Sequence, residues 1–263
     1  MNYGFSSARD LKRWDLDCDI VYGPIASRRF GFSLGINLLS RAKLCNFDCL
    51  YCQCGWTPRA LDTEAIENQV PDLVEVKVAV SRQFQQLGKL GIQPETIVFS
   101  GNGEPTLHPN FPAIAEWVVK NRNRYLPKAL VGILTNGTRL NEAPVKHGID
   151  QLDFKAVKLD AGWEWMDRPL DRFDLDKAVR AWQRIPHIWI QSFFVQGRFD
   201  NTFLRWVEPW LAQIKRISPE RVQLYTLDRV PAAPGIEPAS KTTLDWIACE
   251  VRRECGVMTC VYC

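Results

Sequence analysis

The most constraining stretch of this 263-residue chain is Cys45-Asn46-Phe47-Asp48-Cys49-Leu50-Tyr51-Cys52, a C-x3-C-x2-C run with an aromatic residue before its last thiol. Three thiolates on one loop can hold three corners of a cubane iron–sulfur cluster and leave the fourth iron open. A structural metal site closes with a fourth protein ligand. No histidine stands in the run, so the loop points to a cluster that keeps a coordination place for another molecule. Two plainer readings stand beside it. Cys49 and Cys52 could form half of a zinc knuckle completed by Cys260 and Cys263. The cysteines could also be ordinary core residues, which their spacing beside Lys43, Asn46 and Asp48 argues against.

Apolar residues make up 46% of the chain and charged ones 24%, a globular balance. The length suits one large domain, in the size range of a (β/α) barrel. A net charge of +3 gives no field that argues for nucleic acid. No apolar run approaches the roughly 18 residues of a membrane span. The opening residues lack the apolar centre of a signal peptide, so a cytoplasmic setting is expected. Nine cysteines in such a chain then read as metal or redox chemistry rather than disulfides. Four lie between 45 and 54, four between 249 and 263, and Cys18 stands alone.

Residues 1–20 show no firm element. Gly23-Pro24 and Arg28-Arg29 mark a turn and loop over 21–31. Residues 32–39 read as a buried first strand that delivers the chain to the cysteine loop. Apolar positions at helical spacing, among them Ile66, Val70, Val80, Phe84 and Leu87, predict a helix within 62–90, with Pro71 near its start and Gly88 and Gly91 at its end. Further strands are predicted at 96–99, 129–134, 149–159, 188–195 and 221–227. Helices are predicted at 109–120, 171–184, 202–216 and 242–254, with Pro209 kinking the third. Six strands alternating with helices make an α/β architecture, a partial (β/α)6 TIM-like barrel open on one side for a large substrate. The division is an N-terminal extension (1–20), the barrel (21–240), and a C-terminal helix with a cysteine-rich tail (241–263).

Ligands of such a barrel gather at the carboxyl ends of its strands. Ser100-Gly101-Asn102-Gly103-Glu104-Pro105 follows the second strand, and its glycines allow close backbone approach. Asn136 ends the third strand, Lys158 and Asp160 the fourth, and Gln191 is a polar residue inside the fifth. Arg28 and Arg29 read either as a solvated turn or as a pair that meets an anion, on a substrate or on a cofactor carboxylate.

The cysteine run, the SG-x-GEP loop, GP-x-x-SRR-x-G-x-SLGIN and the K-x-D at 158–160 resemble the radical S-adenosylmethionine (SAM) enzymes. The likeness falls on a little-characterised branch distantly related to the wyosine-base (tRNA) synthase, and it covers roughly residues 21–240. It implies a [4Fe-4S] cluster on Cys45, Cys49 and Cys52 whose fourth iron is chelated by SAM. It implies that reduced cluster cleaves SAM to methionine and a 5′-deoxyadenosyl radical, which takes a hydrogen atom from an unreactive C–H bond. It places Tyr51 near the adenine and Gly101, Asn102, Gly103 and Glu104 around the methionine part, with Asn136, Lys158 and Gln191 as further SAM contacts. An electron donor such as flavodoxin or ferredoxin is implied as a partner. The substrate reads as a peptide or protein side chain, with tRNA-base modification as the alternative. A non-catalytic zinc or iron–sulfur binding protein is the reading from another class.

The tail departs from the simplest pattern. Cys255, Cys260 and Cys263 could bind an auxiliary iron–sulfur cluster, completed by Cys249, Cys18 or Cys54. They could instead serve as a hydrogen-donating thiol or redox dithiol, bind zinc, or have no role.

Overall fold

The computed structural model describes residues 16, 19–57, 69–170 and 172–263; Cys18 and the predicted start of the first long helix lie outside them. In chain order the elements are β1 (Val21–Ser27), β2 (Gly31–Ile36), α1 (Leu73–Lys89), β3 (Thr96–Phe99), a 3-10 turn (Pro105–Leu107), α2 (Phe111–Tyr125), β4 (Leu130–Thr135), α3 (Ala143–Asp150), β5 (Phe154–Lys158), α4 (Trp163–Met166), α5 (Leu175–Trp182), β6 (Ile188–Phe193), β7 (Val195–Gly197), α6 (Leu204–Ile217), β8 (Arg221–Tyr225), β9 (Ile236–Pro238), α7 (Lys241–Cys255) and β10 (Met258–Tyr262). Eight strands form one sheet in the order β1-β2-β3-β4-β5-β6-β8-β10. From β2 onward every neighbour is parallel, and only β1 pairs antiparallel, at the edge. This is the partial barrel that the alternating pattern predicts.

The period of two along each strand separates two apolar sets. Ile97, Phe99, Val131, Ile133, Val157, Ile190, Val222 and Leu224 face the helices and share the main core with Val80, Phe84, Ile114, Val118, Val207, Ile214, Ile247 and Val251. Val98, Phe154 and Ala156 face the concave side with Phe30. There Phe30 stacks on Phe154 at 5.6 Å and Phe154 on Trp189 at 4.3 Å, so aromatic rings floor the barrel. Helix α1 starts at a capping box in which Asp72 accepts from Val74 N and Glu75 N while Glu75 bonds Asp72 N. That closes its orphan amides, as the sequence S/T/D-x-x-E allows.

Three expectations need correction. Residues 21–27 are a strand, not a loop. Proline lacks a ladder donor, and Pro24 is tolerated because β1 is an edge strand with an irregular register between Tyr22 and Ile25. The fourth strand begins at Phe154, since 149–150 close helix α3. The cysteine-rich tail carries a strand of its own: β10 adds to the sheet beside β8, with Cys260 opposite Gln223 and Tyr262 opposite Tyr225. Helix α6 runs as one element across Pro209. No helix among the described residues is long and apolar enough to cross a membrane.

Candidate active site

The cysteine loop lies across the strand ends and is clamped there through its backbone. Leu44 N donates to Asn102 O (3.1 Å) and Leu44 O accepts from Glu104 N (2.9 Å). Leu50 N donates to Met166 O (2.9 Å), and Leu50 O accepts from Ala233 N (2.9 Å). Segments that follow β3, β5 and β8 thus each hold the loop. Inside it, Thr57 N donates to Asp48 Oδ1 (2.7 Å), and Lys43 Nζ bonds Gly55 O. Cys45, Cys49, Cys52 and Cys54 all line one pocket of about 400 Å³, together with Tyr51, Gly101, Gly103, Glu104, Asn136, Lys158 and Gln191. A shallower groove on α1 and α2, lined by Val74, Val78 and Trp117, contains no thiol or carboxylate.

The glycine loop is packed closely on its inner side. A Cβ on Gly101 would meet Asn37 Oδ1 at 2.2 Å, and one on Gly103 would meet Leu44 O at 1.7 Å. Gly101 therefore admits the Asn37 side chain just after β2, and Gly103 admits Leu44 at the start of the cysteine loop, with the pocket beyond. Asn102 is a correction: it is fully buried, bonds Leu39 O through Nδ2 (3.3 Å), and does not line the pocket. Glu104 is buried but does line it. Its Oε1 accepts from Thr106 N (3.1 Å), Thr106 Oγ1 (2.6 Å) and Thr135 Oγ1 (2.7 Å), while Oε2 accepts only Asn136 N (2.7 Å) among these bonds. The carboxylate thus has three donors on Oε1 and one on Oε2. Asn136 Nδ2 donates to Asn46 Oδ1 (2.7 Å) and reaches Cys45 Sγ at 3.9 Å. Asn46 in turn donates to Thr138 Oγ1 (2.9 Å). Asn46, Thr135 and Thr138 are positioning residues that no sequence spacing reveals.

Tyr51 stacks on Phe193 with centroids 4.1 Å apart, and its hydroxyl meets Asp160 and, at 2.7 Å, Asp167. Its polar end is therefore an anchor in a carboxyl pair, while its ring walls the pocket. Lys158 Nζ bonds Asp160 Oδ1 (2.9 Å) and Tyr225 Oη (3.1 Å), and lies over the rings of Tyr51, Phe193 and Tyr225. Burial alone would lower its pKa; Asp160, then Tyr225 and Asp167, reverse that and hold it raised. Burial first, then the Asp160 charge, pushes the Asp167 carboxyl well above its ordinary range.

A carboxyl whose folded pKa is raised costs stability as pH climbs from the unfolded value, about 3.9, toward the folded one. Asp167→Asn removes that loss. Its stability relative to the unaltered chain is expected to rise with pH from about pH 4 upward, read by urea denaturation of the iron-free protein at several pH values. A difference that is flat or shrinks would refute the assignment.

Among the thiols, burial and then Glu104 push Cys45 up to about 12. Cys52 is brought down to about 6, first by a hydrogen bond from Cys54 against the opposing burial, then by Lys43. Gln191 is buried and bonds Gln223 Oε1 (2.6 Å), whose Nε2 reaches Arg29 O (3.3 Å). The tail cysteines are kept apart. Cys255 ends α7 and turns to Leu211 O (3.8 Å), Cys249 is exposed beside Arg252 (3.4 Å), Cys260 sits within β10 and Cys263 lies beyond it, exposed. An extended run separates Cys260 from Cys263 by roughly 10 Å. Cys54 belongs to the pocket, with Sγ 3.9 Å from Gly101 O.

A [4Fe-4S] group is compatible with this donor set. Nowhere among the described residues are three Cys, His, Asp or Glu side chains drawn together to hold a single metal ion. A cubane spreads its thiolates over separate corners and asks for a wider cradle, such as three thiols on one pocket wall.

A family model described as the Radical SAM superfamily matches residues 39–154. A UPF0026 protein of Synechocystis sp. is 30% identical over 213 residues, covering 78% of this chain and 74% of the relative. In fold the chain is similar to a radical SAM methyltransferase from Sphaerobacter thermophilus (TM-score 0.60, 15% identity), over 88% of this chain and 65% of that one. It is similar also to Streptococcus suis SuiB bound to precursor peptide SuiA (TM-score 0.55, 10% identity), over 85% of this chain and 47% of that one. The chain thus spans about two thirds of the methyltransferase and about half of SuiB.

Proposed function

The chain belongs to the radical SAM superfamily, in the branch of its UPF0026 relatives, and on that premise we propose that it acts on a C–H bond of a peptide or protein side chain. The observation that carries the reading is the shared pocket: three loop thiols on one wall, with Gly101, Gly103, Glu104 and Asn136 beside them. When cluster and SAM are bound, the chemistry supplied is one-electron cleavage of SAM and removal of a hydrogen atom from substrate. Cys45, Cys49 and Cys52 would hold the cluster. Glu104 Oε2 would accept from SAM's ammonium, and the ring of Tyr51 would face its adenine. Lys158, engaged by Asp160 and Tyr225, supports that wall, and Gln191 bounds the pocket from β6. The clamped loop and the aromatic floor exclude water from the reacting atoms.

The stacked rings of Phe30, Phe154 and Trp189 give the concave face an apolar floor that suits an inserted side chain. The fold neighbour bound to a precursor peptide accords with it. The net charge of +3 offers little to an RNA backbone.

The test is isotopic. Reconstituted protein, reduced with dithionite in the presence of SAM, is offered uniformly deuterated peptides or deuterated tRNA from the same cells. Deuterium entering 5′-deoxyadenosine from the peptides is the expected result. Deuterium from the tRNA alone would replace this reading with base modification, and no 5′-deoxyadenosine with either would remove radical chemistry.

A further inference from the structure

We propose that Arg29 receives a carboxylate of the substrate inside the barrel. The inference rests on the reading above, that the pocket takes a substrate beside SAM. Arg29 stands in the turn between β1 and β2, and its guanidinium reaches into the lumen to lie over the Tyr225 ring, 4.1 Å from the centroid. It lines the same pocket as the loop thiols. Its Nη1 is buried and has no hydrogen-bond partner among the described residues. A guanidinium stacked this closely uses its face on the ring and keeps its N–H edge for an acceptor. A buried donor left without an acceptor is costly, so this edge is the clearest unfilled demand in the pocket.

The charges around it define the acceptor. Arg28 is paired with Asp228 at 2.8 Å and Lys158 with Asp160 at 2.9 Å. Lys43 is 3.9 Å from Asp48 and bonds Gly55 O. Arg29 has no carboxylate within ion-pair distance among the described residues, only the rings of Tyr225 and, at 6.0 Å, Phe30. A guanidinium with a planar fork of donors matches a planar monoanion, which is a carboxylate. Its source is the substrate rather than SAM. Gly101–Glu104 and Asn136 follow β3 and β4, whereas Tyr225 ends β8, three neighbours beyond β4. The guanidinium is thus held at the β8 side of the shared pocket, and the glycine loop and Asn136 at its β3–β4 side. An acidic side chain or a chain-terminal carboxylate of a peptide, gripped there, would leave the rest of the group extended toward the thiol wall.

The probe is trifluoroacetate, followed by ¹⁹F NMR on the iron-loaded protein saturated with S-adenosylhomocysteine. Saturable broadening is expected, weakened about tenfold or more in Arg29→Met. Arg29→Lys keeps the charge without the fork and should also bind more weakly than the unaltered chain; full affinity in that variant would overturn the fork argument. A titration unchanged in Arg29→Met overturns the proposal. So does binding that is seen in a parallel titration without S-adenosylhomocysteine and absent in its presence, which would make the anion SAM's own. Dimethyl phosphate displacing the probe at lower concentration than acetate would assign the site to a phosphodiester and overturn it as well. Iron content is read in parallel. The proposal requires the variants to load iron like the unaltered chain, and an unaltered chain without iron would count against the radical reading and not against this site.

Discussion

Cys52→Ala protein, reconstituted anaerobically, will hold less than about one iron per chain where the unaltered chain holds about four, and its 5′-deoxyadenosine formation will fall to background. The loop does not depend on that thiol for its shape. Leu44 is bonded to Asn102 and Glu104, and Leu50 to Met166 and Ala233, through backbone atoms that the substitution leaves in place. Asn136 and Asn46 hold the Cys45 end independently. The loss is therefore one of ligation, and the thermal midpoint of the iron-free protein should move little. Replacing Cys255, Cys260 and Cys263 together by Ala is expected to leave about four irons. Those thiols occupy a helix end, the middle of a strand and the residue just past it, and no three metal-binding side chains are drawn together there among the described residues. Iron and acid-labile sulfide analysis decides both points. Iron retained in Cys52→Ala would remove the loop as the cluster site. A fall from about eight to about four in the tail variant would establish an auxiliary cluster and require β10 to rearrange.

The barrel was legible because its strands are short β-branched runs with turn chemistry at their ends. Thr96–Phe99 matches residue for residue, since TIVF is followed at once by Ser-Gly. The edge hairpin was not legible, because Gly23-Pro24 is a turn signal wherever it occurs and only the sheet shows that β1 has a free side. The tail misled in another way. Met258-Thr-Cys-Val-Tyr alternates as a strand does, but C-x2-C spacing also describes a metal loop, and spacing alone does not choose between them. Residue types pointed to the loop cysteines, Glu104 and Asn136, which line one pocket. They did not reveal Asp167, which meets Tyr51 across 116 residues of chain, and they offered Arg28 and Arg29 as a pair without showing that Arg28 is engaged by Asp228. Local pattern carries the ligands; the partners that hold them are non-local.

The largest stability effect is expected at Gly103. Its φ of +154° lies where side chains are strained, and a Cβ there would stand 1.7 Å from Leu44 O. The obstructing atom is backbone, so no rotamer change relieves it. Leu44 cannot retreat freely either, because the Leu44 N to Asn102 O and Glu104 N to Leu44 O bonds tie both chains at that point. Gly103→Ala must therefore break those two bonds or distort the loop. Overpacking, backbone strain and two lost hydrogen bonds together cost about 3–5 kcal/mol, a large share of the roughly 5–15 kcal/mol that holds a domain folded. The damage reaches the site through Glu104, whose displacement loosens Asn136 and with it Asn46. Iron loading should fall even in molecules that remain folded. Gly91 provides the contrast: its φ of +67° is also strained for alanine, but no neighbouring atom lies within 4 Å of the place an alanine methyl would take. Gly91→Ala should cost only about 1–2 kcal/mol and leave iron loading unchanged. Urea denaturation of the two variants side by side separates steric closure from conformational strain, and equal losses would show that the approach of Leu44 to Gly103 does not lock the loop.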